Sequence, residues 1–351
     1  MAILHKLIQK HLLKKSVLSM VLYPLGYAYA ALQNLRRKHF YKQPYKASCY
    51  VISIGNIVSG GSGKTPLTIA IARMLQEKGI RVGVSHRGYK GNFENKTKLI
   101  SNSSKVLFSA EDAGDEAYLI AAALPGIPVV VGRKRIPALK LLLSSYPATQ
   151  VLLMDDAFQH IKVFRNLNIV AFSAETGLGN GFVLPAGYLR ESLAALSEND
   201  IAVIYRKNSI QKALPWEGEL AKQVKLILHS YSSATYCHDP SGFKQTVLNL
   251  VNKRIILVSG IAHPDSFENM VKELGLSYSR HFAYPDHYGF RKESVIEDWL
   301  QEMPDVILCT QKDIMKLAKY PEIASRLRAL VLDYHFEDGN LLIDYIISCL
   351  S

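Results

Sequence analysis

The sequence predicts an α/β protein with a mostly parallel sheet covered on both faces, and three observations carry that prediction. Apolar runs of strand length alternate along the chain with stretches whose apolar residues recur at helical spacing. The first clear run, Cys49–Ile54, leads into a Gly-rich turn and then a helical pattern from about Thr65 to Lys78. A later run, 151–154, ends on two adjacent carboxylates, Asp155 and Asp156. Near-continuous apolar strands are what a parallel sheet buried between helical layers requires.

Residues 16–35 carry no charge and are bracketed by Lys14-Lys15 and Arg36-Arg37-Lys38. Twenty residues reach the minimum for a bilayer span, but Pro24, Gly26 and several polar groups dilute the run. Tyr23, Tyr27 and Tyr29 suit a headgroup zone, and the flanking cations suit anionic lipid. The expectation is an interfacial or shallowly inserted helix; a core helix with solvated ends is the alternative. A basic connector, 36–48, follows. Further strands are expected at Val82–Ser85, Pro128–Val131, Val151–Asp155, Asn168–Phe172 and Ile201–Tyr205, with helices near 112–124 and 134–145. The second half continues the alternation, with strand Arg254–Gly260, helix 264–274, strand 278–283, helix 291–302, strand 305–309, helix 311–319, strand 329–333 and a closing helix. The expected domains are a membrane-associated helix and connector (1–48), a core (49–205), an irregular join (206–250) and a C-terminal α/β unit (251–351).

The net charge of +12 is unevenly placed. The first acidic residue is Glu77, and residues 1–76 already hold 11 of the 42 Lys and Arg, so the remaining 31 nearly balance 30 carboxylates. The excess belongs to one end, and no nucleic-acid reader motif accompanies it, so nucleic acid is not an expected partner. Cys49, Cys237, Cys309 and Cys349 are scattered without a CxxC, which argues against a disulfide framework or zinc site and fits a reducing cytoplasm.

The strongest local signal is Val58-Ser59-Gly60-Gly61-Ser62-Gly63-Lys64-Thr65, set after a strand and opening a helix. Small residues let backbone N–H groups turn inward around phosphate oxygens, the helix N-terminus adds its dipole, Lys64 reaches the terminal phosphates and Thr65 can ligate Mg²⁺. This is a P-loop, although Val58 stands where the strict pattern has Gly. Asp155 and Asp156, at the end of a buried strand about ninety residues on, suit the Mg²⁺ shell. ATP and Mg²⁺ are therefore the expected ligands. P-loop proteins include kinases and nucleotide switches, and the fold does not choose between them.

Several segments in order resemble the tetraacyldisaccharide 4'-kinase (lipid A 4'-kinase) family: Ile54 to Pro66 around the P-loop, Ser85-His-Arg-Gly-Tyr89, Gly114-Asp-Glu116, Val131-Gly-Arg-Lys-Arg135 and Asp155-Asp-Ala-Phe-Gln-His160. They continue with Leu178 to Gly181, Leu184 to Gly187, Leu189-Arg-Glu191, Ser259-Gly-Ile261, Asp286-His-Tyr288 and Thr310 to Asp313. The resemblance implies a P-loop NTPase core with a smaller C-terminal unit, working at the cytoplasmic face of a Gram-negative inner membrane without an obligate protein partner. It implies transfer of the ATP γ-phosphate to the 4'-hydroxyl of an acylated glucosamine disaccharide 1-phosphate. It also places a catalytic carboxylate on Asp115 and its histidine partner on His287. From the residues alone, these read as a helix-start carboxylate and a loop histidine. Arg133, Arg135 and Arg190 are candidate anion contacts or solvated charges. Gln159 and His160 follow the paired carboxylates toward the same mouth, and Tyr89 is placed to stack on substrate or to pack. The chain departs from the family pattern at Ala157, Tyr288 and Gln311. The rival reading is a membrane-associated P-loop ATPase switch with no phosphorylated acceptor.

Overall fold

The computed structural model describes residues 11–40, 42–59, 62–206, 213–261, 264–290 and 293–350. They form two compact units, one running to Tyr231 and resuming at Tyr334, the other spanning Ser232–Asp333.

In the first unit, β1 (Tyr50–Gly55), β2 (Val82–His86), β3 (Lys98–Ser101), β4 (Val129–Val131), β5 (Val151–Met154), β6 (Leu167–Ser173), β7 (Ile201–Arg206) and the start of β8 (Leu226–His238) pair in the order β8-β7-β6-β1-β5-β2-β4-β3. All of these pairings are parallel except β3 on β4. Alternation along β1 sends Ile52 and Ile54 to one face, with Leu67, Ile71 and Leu75 of the helix Lys64–Glu77 and Leu342 and Ile346 of the helix Gly339–Ser348. Val51 goes to the other face, with Leu139 and Leu142 of the helix Arg135–Ser145. A Cβ on Gly55 would lie 2.5 Å from Phe158 Cβ, so the last residue of β1 is glycine because the chain after β5 crosses it in contact. β1 lies between β5 and β6, and its C-terminal end opens onto the P-loop.

The helix Val17–Phe40 extends past the expected 16–35 and accommodates Pro24. Ser16 starts it: the Ser16 hydroxyl accepts from Ser19 N–H at 3.1 Å, and the Ser19 hydroxyl accepts from Ser16 N–H at 2.7 Å. A narrow stripe including Ser19, Gly26, Ala30, Gln33 and Arg37 faces the protein. A Cβ on Gly26 would lie 2.7 Å from Val183 O, and the Arg37 guanidinium pairs with Glu191 at 2.5 Å and covers the Phe158 ring. Much of the rest of this helix is exposed: half of the large exposed apolar side chains among the described residues sit here, including Val17, Val21, Leu25, Leu32 and Leu35. Among the described residues, no helix is long and apolar enough to cross a membrane.

In the second unit, β9 (Lys244–Thr246) pairs antiparallel with the end of β8, and β10 (Ile255–Ser259), β11 (Arg280–Ala283), β12 (Val306–Thr310) and β13 (Leu327–Phe336) pair in the order β11-β10-β12-β13. The expected irregular join at 206–250 instead contains the longest strand among the described residues, β8, although 207–212 lie outside them. The expected C-terminal unit also differs: the chain leaves it at Asp333, and the closing helix buries Leu342, Ile343 and Ile346 in the core of the first unit.

Candidate active site

The P-loop follows β1 because a buried strand must end where the chain can turn sharply into a helix. Gly63 takes φ +72° as that helix begins, and no acidic residue occupies the first turn. Pro66 has no N–H to leave unsatisfied, and Leu67 N–H already bonds Gly63 O. The helix start is thus an uncompensated positive end. The N-terminal half of the loop is anchored instead: Ser59 N–H donates to Tyr188 O at 2.9 Å, Val58 is buried in a bridge with Leu189, and Arg190 N–H donates to Ile57 O. Ser62 is buried and accepts from the Asn56 amide at 3.0 Å. Gly60 and Gly61, expected phosphate contacts, lie outside the described residues.

Asp155 ends the run begun by β5 and is 1% exposed. Thr65 Oγ1 donates to it at 3.2 Å and Thr68 Oγ1 at 2.9 Å, so one turn of the P-loop helix holds both carboxylate oxygens. Burial pushes its carboxyl above the ordinary value, opposed by His86 and reinforced by Asp156 and Glu116. Asp156, at φ +47°, turns the other way and meets Lys64 Nζ at 3.5 Å. Burial would raise its carboxyl too, but Lys64, Arg190, His86 and Arg135 outweigh that and hold it below the usual range. A buried carboxylate of raised pKa beside a threonine hydroxyl and a second, ionised carboxylate is a set of hard oxygen donors short of positive charge. These residues fit Mg²⁺.

Three further side chains complete this cluster, in roles that the sequence reading did not give them. His86 ends β2, 2% exposed; its Nδ1 accepts from Gly88 N–H at 2.9 Å, so the neutral ring carries its proton on Nε2. That nitrogen lies 3.5 Å from Glu116 and 3.8 Å from Asp155. Thr68 is the second. Arg135 is the third: it is buried, its guanidinium donates to Asp155 O and to Ser85 Oγ, and it props the turn from behind instead of lying on the surface.

Asp115 opens the helix Asp115–Ala123 and is buried. Its predecessor must be glycine: Gly114 sits at φ +86°, and a Cβ there would lie 2.7 Å from Tyr89 O. The Asp115–Glu116 turn is therefore pressed onto the loop carrying Tyr89, whose exposed ring lies beside Arg87 and Lys90. Gln159 donates to Asn56 O at 2.8 Å, tying the loop after the carboxylates to the P-loop. Burial and then the Arg135 charge push His160 down to about 4, so it is neutral at pH 7. Ala157 is wholly buried and donates its N–H to Ile54 O, so the methyl in place of glycine is accommodated.

His287 belongs to the second unit, at φ +65°, with its N–H on Gly260 O at 3.2 Å. Its Nε2 lies 3.6 Å from Asp286 and 3.4 Å from Lys312 Nζ. The buried Asp313 accepts from Gly260 N–H and Thr310 Oγ1, fixing the turn on which His287 hangs. Tyr288 stacks on Tyr284, and Gln311 Oε1 faces Leu332 N–H at 3.5 Å.

Comparison with known proteins gives one consistent result. Residues 18–348 match the family model described as tetraacyldisaccharide-1-P 4'-kinase. The chain is 32% identical to the tetraacyldisaccharide 4'-kinase of Desulfotalea psychrophila, over 88% of this chain and 90% of that one. It is 33% identical to that of Chromobacterium violaceum, over 93% of each. Among solved structures, it resembles LpxK from Aquifex aeolicus, crystallised in complex with ATP, with a TM-score of 0.77 and 27% identity, covering 95% of this chain and all of that one.

Lys64→Ala is expected to cut nucleotide-dependent phosphoryl transfer by roughly a hundredfold or more, as for loss of a main electrostatic stabiliser. It should also change acid stability. The depressed Asp156 carboxyl contributes stability that is complete above its unfolded value and is lost as pH falls through the folded one. Without Lys64 that loss should begin at higher pH, read as the melting temperature followed below about pH 5. An unchanged acid limb, with activity within threefold of the parent, contradicts the pairing.

Proposed function

The chain belongs to the tetraacyldisaccharide-1-P 4'-kinase family, and from that premise we propose how its own residues perform the reaction. That reaction moves the γ-phosphoryl group of ATP to the 4'-hydroxyl of a tetraacyl disaccharide 1-phosphate in lipid A biosynthesis, with Mg²⁺ as cofactor. The observation that carries the assignment of roles is the buried Asp155 carboxylate held by Thr65 and Thr68, next to Asp156, which meets the P-loop lysine Lys64.

Thr65, Asp155 and Asp156 would hold Mg²⁺, which supplies charge neutralisation across the transferring phosphates. Lys64 and the P-loop helix terminus bind the β- and γ-oxygens. Arg190, close enough to Asp156 to lower its pKa, adds a second cation at the same mouth. Asp115 takes the proton of the acceptor hydroxyl as the new oxygen–phosphorus bond forms, while the bond to the β–γ bridging oxygen breaks and ADP leaves. It sits at a helix start beside Glu116, whose carboxylate lies 3.5 Å from the His86 ring of the Asp155 cluster. His287, on a turn braced by Asp313 and flanked by Asp286 and Lys312, is the residue to which the family resemblance gives the role of histidine partner. Tyr89, Arg133, Gln159 and His160 line the acceptor side.

We assign the helix Val17–Phe40 to the cytoplasmic membrane surface of the cell. A helix that buries a stripe of small and polar residues and exposes leucines, valines and tyrosines is inverted relative to a soluble surface helix. Lys14, Lys15, Arg36 and Lys38 flank that face with charge suited to anionic headgroups, roughly 1 kcal/mol for each near-surface cation. The exposed apolar face and its flanking cations support a reading in which the enzyme meets its acylated acceptor at the bilayer surface.

Two experiments test these roles. With γ-labelled ATP and a detergent-dispersed tetraacyl disaccharide 1-phosphate, Asp115→Ala and His287→Ala should each depress kcat strongly, and the double variant little further, because residues acting as one unit are non-additive. Multiplicative losses, or a harmless His287→Ala, would assign the histidine to structure; label appearing only as free phosphate would favour the nucleotide-switch reading. For the helix, Val21→Lys, Leu25→Lys and Leu32→Lys combined should move the protein from anionic vesicles to the supernatant while leaving ATP binding intact. Co-sedimentation as tight as the parent's would put the anchor elsewhere.

A further inference from the structure

Glu94 is the only acidic residue between Glu77 and Glu111, a stretch that holds seven lysines and arginines. With that choice of cations, its carboxylate turns to the two residues that flank Tyr89. One oxygen takes the Arg87 guanidinium, at 3.0 Å from Nε and 2.8 Å from a terminal nitrogen. The other accepts from Lys90 N–H at 3.3 Å. The Arg87 guanidinium and the Lys90 ammonium in turn lie 5.4 and 5.6 Å from the centre of the Tyr89 ring. The main chain of the same residue reaches a second group, because Glu94 O accepts from Arg133 N–H at 3.0 Å. Arg133 lines a basic cavity of about 400 Å³ together with Lys134, Arg135, Lys162, Gln159 and His160.

The backbone around Tyr89 needs such a brace. Lys90 sits at φ +60°, a conformation that costs a lysine free energy and persists only where its surroundings hold it. The turn belongs to no strand or helix; Gly91 N–H closes it on Gly88 O at 3.1 Å, and the Glu94 carboxylate holds both flanks of the ring. Beyond the turn the chain is already fixed. Asn92 N–H donates to Glu111 O at 3.0 Å and Phe93 N–H to Asp112 O at 2.9 Å, and a Cβ on Gly91 would lie 2.4 Å from Gly114 N. Charge matters as well. Burial is the main cause that lowers the His160 imidazole and the Arg135 guanidinium, and the Arg87 charge adds to both. Arg87 therefore acts on the site, and its pairing with Glu94 fixes where that charge stands.

We propose that Glu94 is a positioning residue for the acceptor, its carboxylate setting the Tyr89 ring and its carbonyl setting the Arg133 turn. The proposal rests on the kinase reading, in which Tyr89 and Arg133 line the acceptor side. The carboxylate is engaged inside the loop, by Arg87 and Lys90, so it acts through Tyr89. An exposed tyrosine ring offers an apolar face to a sugar ring, and fixing it beforehand removes an ordering cost from binding. Loss of the carboxylate should then appear in acceptor affinity and leave the nucleotide alone.

The test compares the parent with Glu94→Ala, Glu94→Gln, Tyr89→Ala and Glu94→Ala/Tyr89→Ala. Alanine keeps the carbonyl at position 94, so it isolates the carboxylate. For the tetraacyl disaccharide 1-phosphate in detergent, Glu94→Ala should raise KM about tenfold, as for loss of charged hydrogen bonds, with kcat and KM for ATP within about twofold. Glu94→Gln, whose amide oxygen still accepts from Arg87, should recover most of that loss. On the Tyr89→Ala background, Glu94→Ala should add less than about threefold, because the ring it holds is already gone. An arm independent of turnover uses Tyr89→Trp as a reporter, read against the parent, whose Trp216 and Trp299 also emit. Adding Glu94→Ala should lower the anisotropy of that reporter and raise its quenching by acrylamide. A rise in KM for ATP that matches the rise for the acceptor makes Glu94 a general structural residue and overturns the assignment. So does an undiminished effect on the Tyr89→Ala background, or a reporter that ignores Glu94→Ala. Absence of transfer by the parent contradicts the kinase reading instead, while the reporter still decides whether Glu94 fixes Tyr89.

Discussion

Asp155 is a carboxylate buried at the end of a parallel strand, and most of the first unit is arranged around the difficulty of keeping it there. Ionised and alone in such a place, it would cost several kcal/mol. Thr65 and Thr68 supply two hydroxyl donors from one helical turn, and His86 sets its ring Nε2 3.8 Å away from the neighbouring strand. Arg135 fixes the backbone carbonyl from behind. Those groups come from β2, the helix after β1 and the helix after β4. The carboxyl nonetheless stays above its ordinary pKa. The deficit of positive charge is what makes the site a cation site, and it is a stability cost carried for function.

Charge is sorted by distance from that point. Asp156, a residue away, is oversupplied with cations and stays ionised, so adjacent carboxylates hold opposite protonation tendencies in one mouth. Positive charge then continues outward through Arg135 to the basic cavity and to the end of the helix Val17–Phe40.

The parts legible in sequence were those whose physics is local. A strand running into small residues and then Lys64-Thr65 specifies a phosphate loop within about a dozen positions, and a strand ending on Asp155-Asp156 is equally self-contained. The groups that complete the site act at a distance: Thr68 meets Asp155 across 87 positions, and Arg135 across 20. Arg135 looks like surface charge until the fold buries it. Strand β8 stayed hidden because its inward positions include Ser230, Ser232 and Ala234, small residues that give no apolar alternation. The short edge strand β3 begins at Lys98 among other charged and polar residues and gives little alternation either. The return of the closing helix to the first unit follows from which core has room for Leu342, Ile343 and Ile346, a question of tertiary packing that no sequence window contains.

The claim that the site is a charge deficit awaiting a cation is tested most directly by the thermal stability of Asp155→Asn with and without Mg²⁺ and ATP. A carboxyl whose folded pKa is raised destabilises the fold once pH exceeds that of the unfolded chain, and the penalty is absent below the unfolded pKa. At neutral pH the metal-free variant should therefore melt above the parent. The parent's melting temperature should rise on adding Mg²⁺ and ATP, through binding to the folded state, and the variant's should rise far less. If the variant instead melts below the parent without metal and gains as much from Mg²⁺ and ATP, Asp155 is a structural carboxylate, and the account of the site is wrong.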